Sequence, residues 1–128
     1  MRILGHGIDI VEIDRIREML ERHENRFLAR VYTEGEQAHS AGRKSRDEHL
    51  AGRFAAKEAV YKALGTGQTA GISWTDIEVV SEPSGRPTLR LHNKAQEISM
   101  RLGITDWHLS ISNSHKAAVA SVIASGPD

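Results

Sequence analysis

Residues 107–112 alternate strictly: Trp107, Leu109 and Ile111 point one way, His108, Ser110 and Ser112 the other. That period of two predicts a strand with one covered face. Residues 3–11 predict another, carried by Ile3, Leu4, Ile8, Ile10 and Val11. There Asp9 shares a face with Gly5, Gly7 and Val11, while Ile8 and Ile10 face away. Residues 117–124 predict a returning strand after the Asn113-Ser114-His115-Lys116 turn, and residues 125–128 are expected to fray. Two shorter strands, 76–81 and 88–92, flank Glu82-Pro83-Ser84-Gly85-Arg86-Pro87, whose turn residues predict a hairpin.

Elsewhere the apolar period lengthens to that of a helix. Ile16, Leu20, His23 and Phe27 recur on one face, with Asp14 as N-cap. Thr33 and Glu36 form a capping box for a short helix toward Ala41. A central helix over 50–64 is rich in alanine and free of proline, with Ser45 and Glu48 as a capping box and Gly65 at its end. Asn93 caps a last helix that runs to Leu102 and stops at Gly103. A strand, helices, then two hairpins separated by a helix make an α+β order with a mainly antiparallel sheet packed with helices. The absence of a repeating βαβ unit and of G-x-G-x-x-G after the first strand argues against a Rossmann domain.

Composition narrows the field. At 128 residues, with 39% apolar and 27% charged, the chain is expected to be one globular domain, 1–128. Lys+Arg and Asp+Glu are 17 each and aromatics only 5%, which disfavours a nucleic-acid binder. With no cysteine, a metal must take oxygen or imidazole ligands. Asp9 interrupts the N-terminal apolar run early and no run reaches the length of a membrane span, so a cytosolic protein is expected.

Candidate chemistry gathers on the central helix. Ala51, Phe54, Ala55, Glu58 and Lys62 fall within about 100° of one another around its axis. Glu58 therefore lies among small and aromatic residues, one turn before Lys62, while Arg53 and Lys57 occupy the next face. The stretch has two readings: an ordinary i,i+4 surface ion pair, or one wall of a site for a metal-bound, phosphate-bearing ligand, with Gly65-Thr66-Gly67 offering backbone N–H groups. Asp9 likewise is either a strand-end acid satisfied by a turn or a carboxylate awaiting a cation, a metal or donors. On the first helix Arg15, Arg22, Arg26 and Arg30 fit a wedge of about 80°. With Met19 they make either a solvated face or a grip for an acidic partner helix.

Three pieces coincide in order and spacing: Gly7-Ile8-Asp9; Phe54-Ala55-Ala56-Lys57-Glu58-Ala59 with Lys62 and Gly65-Thr66-Gly67; and His108-Leu109-Ser110-Ile111-Ser112. With the Gly85-Arg86-Pro87 turn, they resemble the short 4′-phosphopantetheinyl transferases, the holo-acyl-carrier-protein synthases, over essentially the whole chain. The resemblance implies the 4′-phosphopantetheinyl transferase fold. It implies magnesium-dependent transfer of the phosphopantetheine arm of coenzyme A to a serine of acyl carrier protein, releasing adenosine 3′,5′-bisphosphate. It also implies a homotrimer with active sites between protomers.

By position, the resemblance makes Asp9 and Glu58 the magnesium ligands and Lys62 a partner of the coenzyme A phosphates. Arg53, Gly65, Thr66 and Gly67 fall around the nucleotide and its 3′-phosphate, and Pro87 borders the adenine. His108 joins the site, and Arg15, Arg22 and Arg26 receive the carrier protein. Glu58, directly or through a metal-bound water, is the candidate base. One departure is plain: many members read Ser-x-Ser-His where this chain reads Ser110-Ile111-Ser112-Asn113. Asn113 cannot titrate near neutrality. A coenzyme A or nucleotide-binding module without chemistry is therefore the alternative.

Overall fold

The computed structural model describes residues 1–67 and 70–128. The chain runs β1 (Arg2–Glu12), α1 (Ile13–Val31), α2 (Glu34–Ser40), α3 (Arg46–Leu64), a 3₁₀ turn (Trp74–Asp76), β2 (Ile77–Ser81), β3 (Pro87–Leu91), α4 (Asn93–Arg101), β4 (Asp106–Asn113) and β5 (Ala117–Gly126). This is the expected α+β order. β5 lies between β1 and β4, antiparallel to both, and β2 and β3 form a separate hairpin. Among the described residues, no helix is long and apolar enough to cross a membrane.

The alternation in β1 sets the position of everything else. Gly5, Gly7, Asp9 and Val11 pair across with Ala124, Val122, Ala120 and Ala118, a face of small residues. α3 lies directly on that face. A Cβ added to Gly7 would overlap the Ala59 carbonyl oxygen, and one on Gly5 would overlap that of Ala63. The glycines let helix backbone touch strand backbone. Ala55, Ala56 and Ala59 are fully buried as a result. The helix ends at Gly65, whose φ of 74° makes the left-handed C-cap.

Several local expectations are corrected. α1 begins at Ile13 with Glu12 at the N-cap position, so Asp14 falls inside the first turn, and the helix kinks at His23. The kink falls between Arg22 and Arg26, so the arginine wedge is not one straight stripe. Neither half of the expected capping box forms: Ser45, at φ −100° and ψ 37°, is not in the extended N-cap conformation and makes no side-chain cap, and Glu48 turns to His115, 3.0 Å away. Asn93 is the first residue of α4 rather than its cap; it takes φ 48° and donates to Asp76. The C-terminus does not fray at 125: β5 continues to Gly126, Ser125 is buried, and Asp128 pairs with the N-terminal amine.

Lys57 departs furthest from expectation. A lysine on a helix face normally reaches solvent, yet this one is wholly buried. Its Nζ donates to Glu36 Oε1 (2.8 Å), the Trp74 carbonyl (3.2 Å) and the Ile77 carbonyl. Glu36 in turn caps α2 at Thr33 N and accepts from Val79 N, so one ion pair ties α2, α3 and β2 together.

Candidate active site

Asp9 and Glu58 come together because β1 and α3 touch at Gly7. Asp9 projects from β1 on the face that α3 covers, and Glu58 faces the same place from the helix. Glu58 is held above the usual carboxylate range, first by burial and then by the like charge of Asp9, with Arg15 and Lys62 pulling the other way. Those four groups therefore act on one another across the β1–α1–α3 junction.

Lys62 does not form the i,i+4 ion pair with Glu58 that its helix spacing allows. Its Nζ donates to the Ile8 carbonyl at 2.9 Å and pairs with Asp9 Oδ1 at 3.1 Å. The ion pair crosses to the strand instead of closing on Glu58 one turn earlier. Just beyond, Gly65, Thr66 and Gly67 leave the helix, with Thr66 Oγ1 donating to the Gly67 carbonyl at 3.0 Å.

Arg15 and Met19 line an apolar cleft of about 200 Å³ with Phe27, Arg30, Phe54 and Trp74. The Arg15 guanidinium sits 5.6 Å over the Phe54 ring, which stacks on Trp74 at 5.0 Å. Arg22 is exposed and paired with Glu18 at 3.0 Å, away from that cleft. Trp74 carries no signal in the local sequence; only the tertiary fold brings it to Phe54.

Arg53 and Pro87, far apart in sequence, line one further cleft of about 350 Å³ with His39, Arg43, His49, Ser81, Gly85 and Ile111. The hairpin turn thus reaches the N-terminal half of α3. Arg53 is buried and donates to Ser81 Oγ at 3.2 Å. His39 and His49 were not anticipated; neither follows a spacing that marks a site.

His108 is not brought to Asp9 within the chain. It pairs across from Ile123, whose other partner is His6, on the opposite face of the sheet, where its Nε2 lies 3.1 Å from Ser125 Oγ. Ile8 (54% exposed) and Ile10 (67%) share that outer face. Asn113 is exposed beside the β4–β5 turn.

A profile of the 4′-phosphopantetheinyl transferase superfamily matches residues 5–120, a span from Gly5 in β1 to Ala120 in the first half of β5. The chain belongs to the 4′-phosphopantetheinyl transferase superfamily. A transferase of this superfamily from Koribacter versatilis, a holo-[acyl-carrier-protein] synthase, is 49% identical over 121 residues, covering 94% of this chain and 97% of that one. The Bacillus anthracis holo-(acyl-carrier-protein) synthase solved in complex with CoA (3′,5′-ADP) superposes with a TM-score of 0.81. It is 40% identical and covers 99% of this chain and all of the other. The Helicobacter pylori synthase in complex with coenzyme A gives 0.82 at 33% identity, over 94% and 99% of the two chains. In this transferase chain Asp9, Glu58 and Lys62 meet at one junction, as described above.

Proposed function

We propose that this transferase moves 4′-phosphopantetheine from coenzyme A to a serine of apo acyl carrier protein, using the Asp9–Glu58–Lys62 junction as its reaction centre. The observation that carries the reading is the meeting of two carboxylates and an ammonium across the β1–α3 contact: Glu58 feels the charge of Asp9, and Lys62 Nζ lies 3.1 Å from Asp9 Oδ1. Glu58 takes the proton of the serine hydroxyl, the serine oxygen attacks the phosphorus that bears the pantetheine, and the bond to the departing adenosine 3′,5′-bisphosphate breaks. Lys62 offsets charge on the diphosphate.

Two carboxylates facing one point suit a hard divalent cation, and the Lys62 ammonium on Asp9 is further support that this point draws positive charge. Among the described residues no third acidic or imidazole group joins them. Asp9 and Glu58 would hold a magnesium ion, which when bound would withdraw charge from the phosphorus under attack.

Coenzyme A is placed with its nucleotide between the Arg53–Pro87 cleft of one protomer and the Gly65, Thr66 and Gly67 turn of a neighbouring one, since the two lie toward opposite ends of α3 within a chain. The carrier protein is received by Arg15, Arg22 and Arg26. Because His108 and the exposed Ile8 and Ile10 share the outer sheet face, we assign that face to a neighbouring protomer of a homotrimer, whose site His108 then enters. The test is mass spectrometry of apo carrier protein after incubation with coenzyme A, Mg²⁺ and enzyme. Asp9→Ala and Glu58→Ala are each expected to abolish the pantetheinylated product. A mixture of Glu58→Ala and His108→Ala chains, refolded together, is expected to regain activity. Near-normal turnover by Glu58→Ala sinks the mechanism, and silent mixed chains sink the shared site.

A further inference from the structure

The Arg53 cleft has no carboxylate among its lining residues. Arg53 is 5% exposed, and its Nε is sealed from solvent without a hydrogen-bond partner. A buried donor in that state costs free energy until an acceptor arrives. Beside it, His39 and His49 stack with ring centroids 4.9 Å apart, and His39 Nδ1 lies 2.9 Å from His49 Nε2. Arg43 Nη2 is 3.3 Å from His39 Nε2, and Arg53 Nη2 is 3.5 Å from His39 Nδ1.

The two shorter contacts fit neutral rings: His39 Nε2 accepts from Arg43, so His39 Nδ1 carries the proton it donates to His49, and Arg53 Nη2, at 3.5 Å from that Nδ1, is a second donor facing it rather than a hydrogen-bond partner. The groups that face the pair are Arg43 from the α2–α3 connector, Arg53 from α3 and Ser81 from β2, with Glu36 acting on Arg53. Burial, followed by Arg53 and Arg43, pushes both rings down, His49 to about 4. Four nitrogen-rich side chains thus converge on one opening, the two arginines charged and the two imidazoles kept neutral by burial and by the arginines beside them.

We propose that the His39–His49 pair is a proton-taking part of the ligand's phosphate site, so that a phosphate monoester enters this cleft together with a proton from solvent. The proposal rests on the coenzyme A reading and deepens it. A phosphate dianion among Arg43, Arg53 and the rings reverses the field that the imidazoles feel. It gives the Arg53 guanidinium an acceptor and draws Arg43 away from His39 Nε2. Both rings can then present N–H groups to phosphate oxygens. Free rings are neutral at pH 7, and bound rings hold a proton more tightly. Affinity therefore rises as pH falls, by up to about tenfold in Kd per pH unit for one proton taken up.

The test uses the wild-type protein. The C2-proton NMR shifts of His39 and His49, assigned with His39→Gln and His49→Gln, are followed against pH with and without saturating adenosine 3′,5′-bisphosphate. The expected result is an upward move of about one pH unit or more in the midpoint of at least one ring. Identical titrations in the free and saturated protein overturn the proposal and leave the nucleotide site standing. Failure of the nucleotide to bind at all overturns both. Calorimetry in two buffers of different ionisation heat gives the second readout, with proton uptake expected in wild type and reduced in the His39→Gln/His49→Gln double variant. Equal uptake in both counts against the pair.

Discussion

Replacing Lys57 with methionine isolates the ion pair that fixes α3. The substitution keeps the length of the stem and removes one charge and three donated hydrogen bonds, to Glu36, Trp74 and Ile77. Glu36 retains its bonds from Thr33 N and Val79 N, both 2.9 Å, but loses its counter-charge in a place where neither side chain touches solvent. Breaking a buried pair from one side costs about 3–5 kcal/mol. A protein of this size has about 5–15 kcal/mol in total, so the loss is a large share of it. With a urea slope of about 1.5 kcal/mol/M, the unfolding midpoint falls by about 2–3 M. Equilibrium unfolding followed by circular dichroism measures it. A Glu36→Gln/Lys57→Met double variant leaves no orphan charge and is expected to be more stable than the sum of the two single losses allows. A loss below about 1 kcal/mol in Lys57→Met refutes the argument, since the burial penalty would then have been overstated.

Three further outcomes follow from the site. Glu58→Gln should abolish transfer and yet leave the fold as stable or slightly more stable at pH 7. A carboxyl held above its ordinary range favours the folded state at acid pH and loses that contribution as pH rises through its folded pKa. The gain, under about 1 kcal/mol for a partly solvated group, should close on acidification; a wild type clearly more stable than the variant at neutral pH contradicts it. Arg22→Glu/Arg26→Glu should raise KM for carrier protein with little effect on that for coenzyme A. That pair is a cleaner probe of docking than Arg15, whose charge also acts on Glu58; equal rises in both KM values would remove the docking role. Gly7→Ala forces a methyl group into the Ala59 carbonyl and should cost about 1–3 kcal/mol or more. It should also lower transfer by parting Asp9 from Glu58; unchanged activity would show that the close contact is not what joins them.

Much of this arrangement is legible in the sequence. The strand pattern put Asp9 on the glycine face of β1, and helical period put Glu58 and Lys62 on one side of α3. Since the glycines and alanines on both elements are small, their backbones had only one close way to meet, and the acids follow the backbones. Caps were less legible: Ser45 with Glu48 has the residues of a capping box, but His115, distant in sequence, competes for the Glu48 carboxylate and wins. Lys57 was illegible for the same reason. Nothing local separates a lysine that neutralises Glu36 from one that faces phosphate, because its partners come from α2, the 3₁₀ turn and β2. The two adjacent residues divide the labour accordingly. Lys57 turns into the protein and anchors the helix, and that anchoring is what allows Glu58, one step on, to stand half-buried beside another acid instead of relaxing into water.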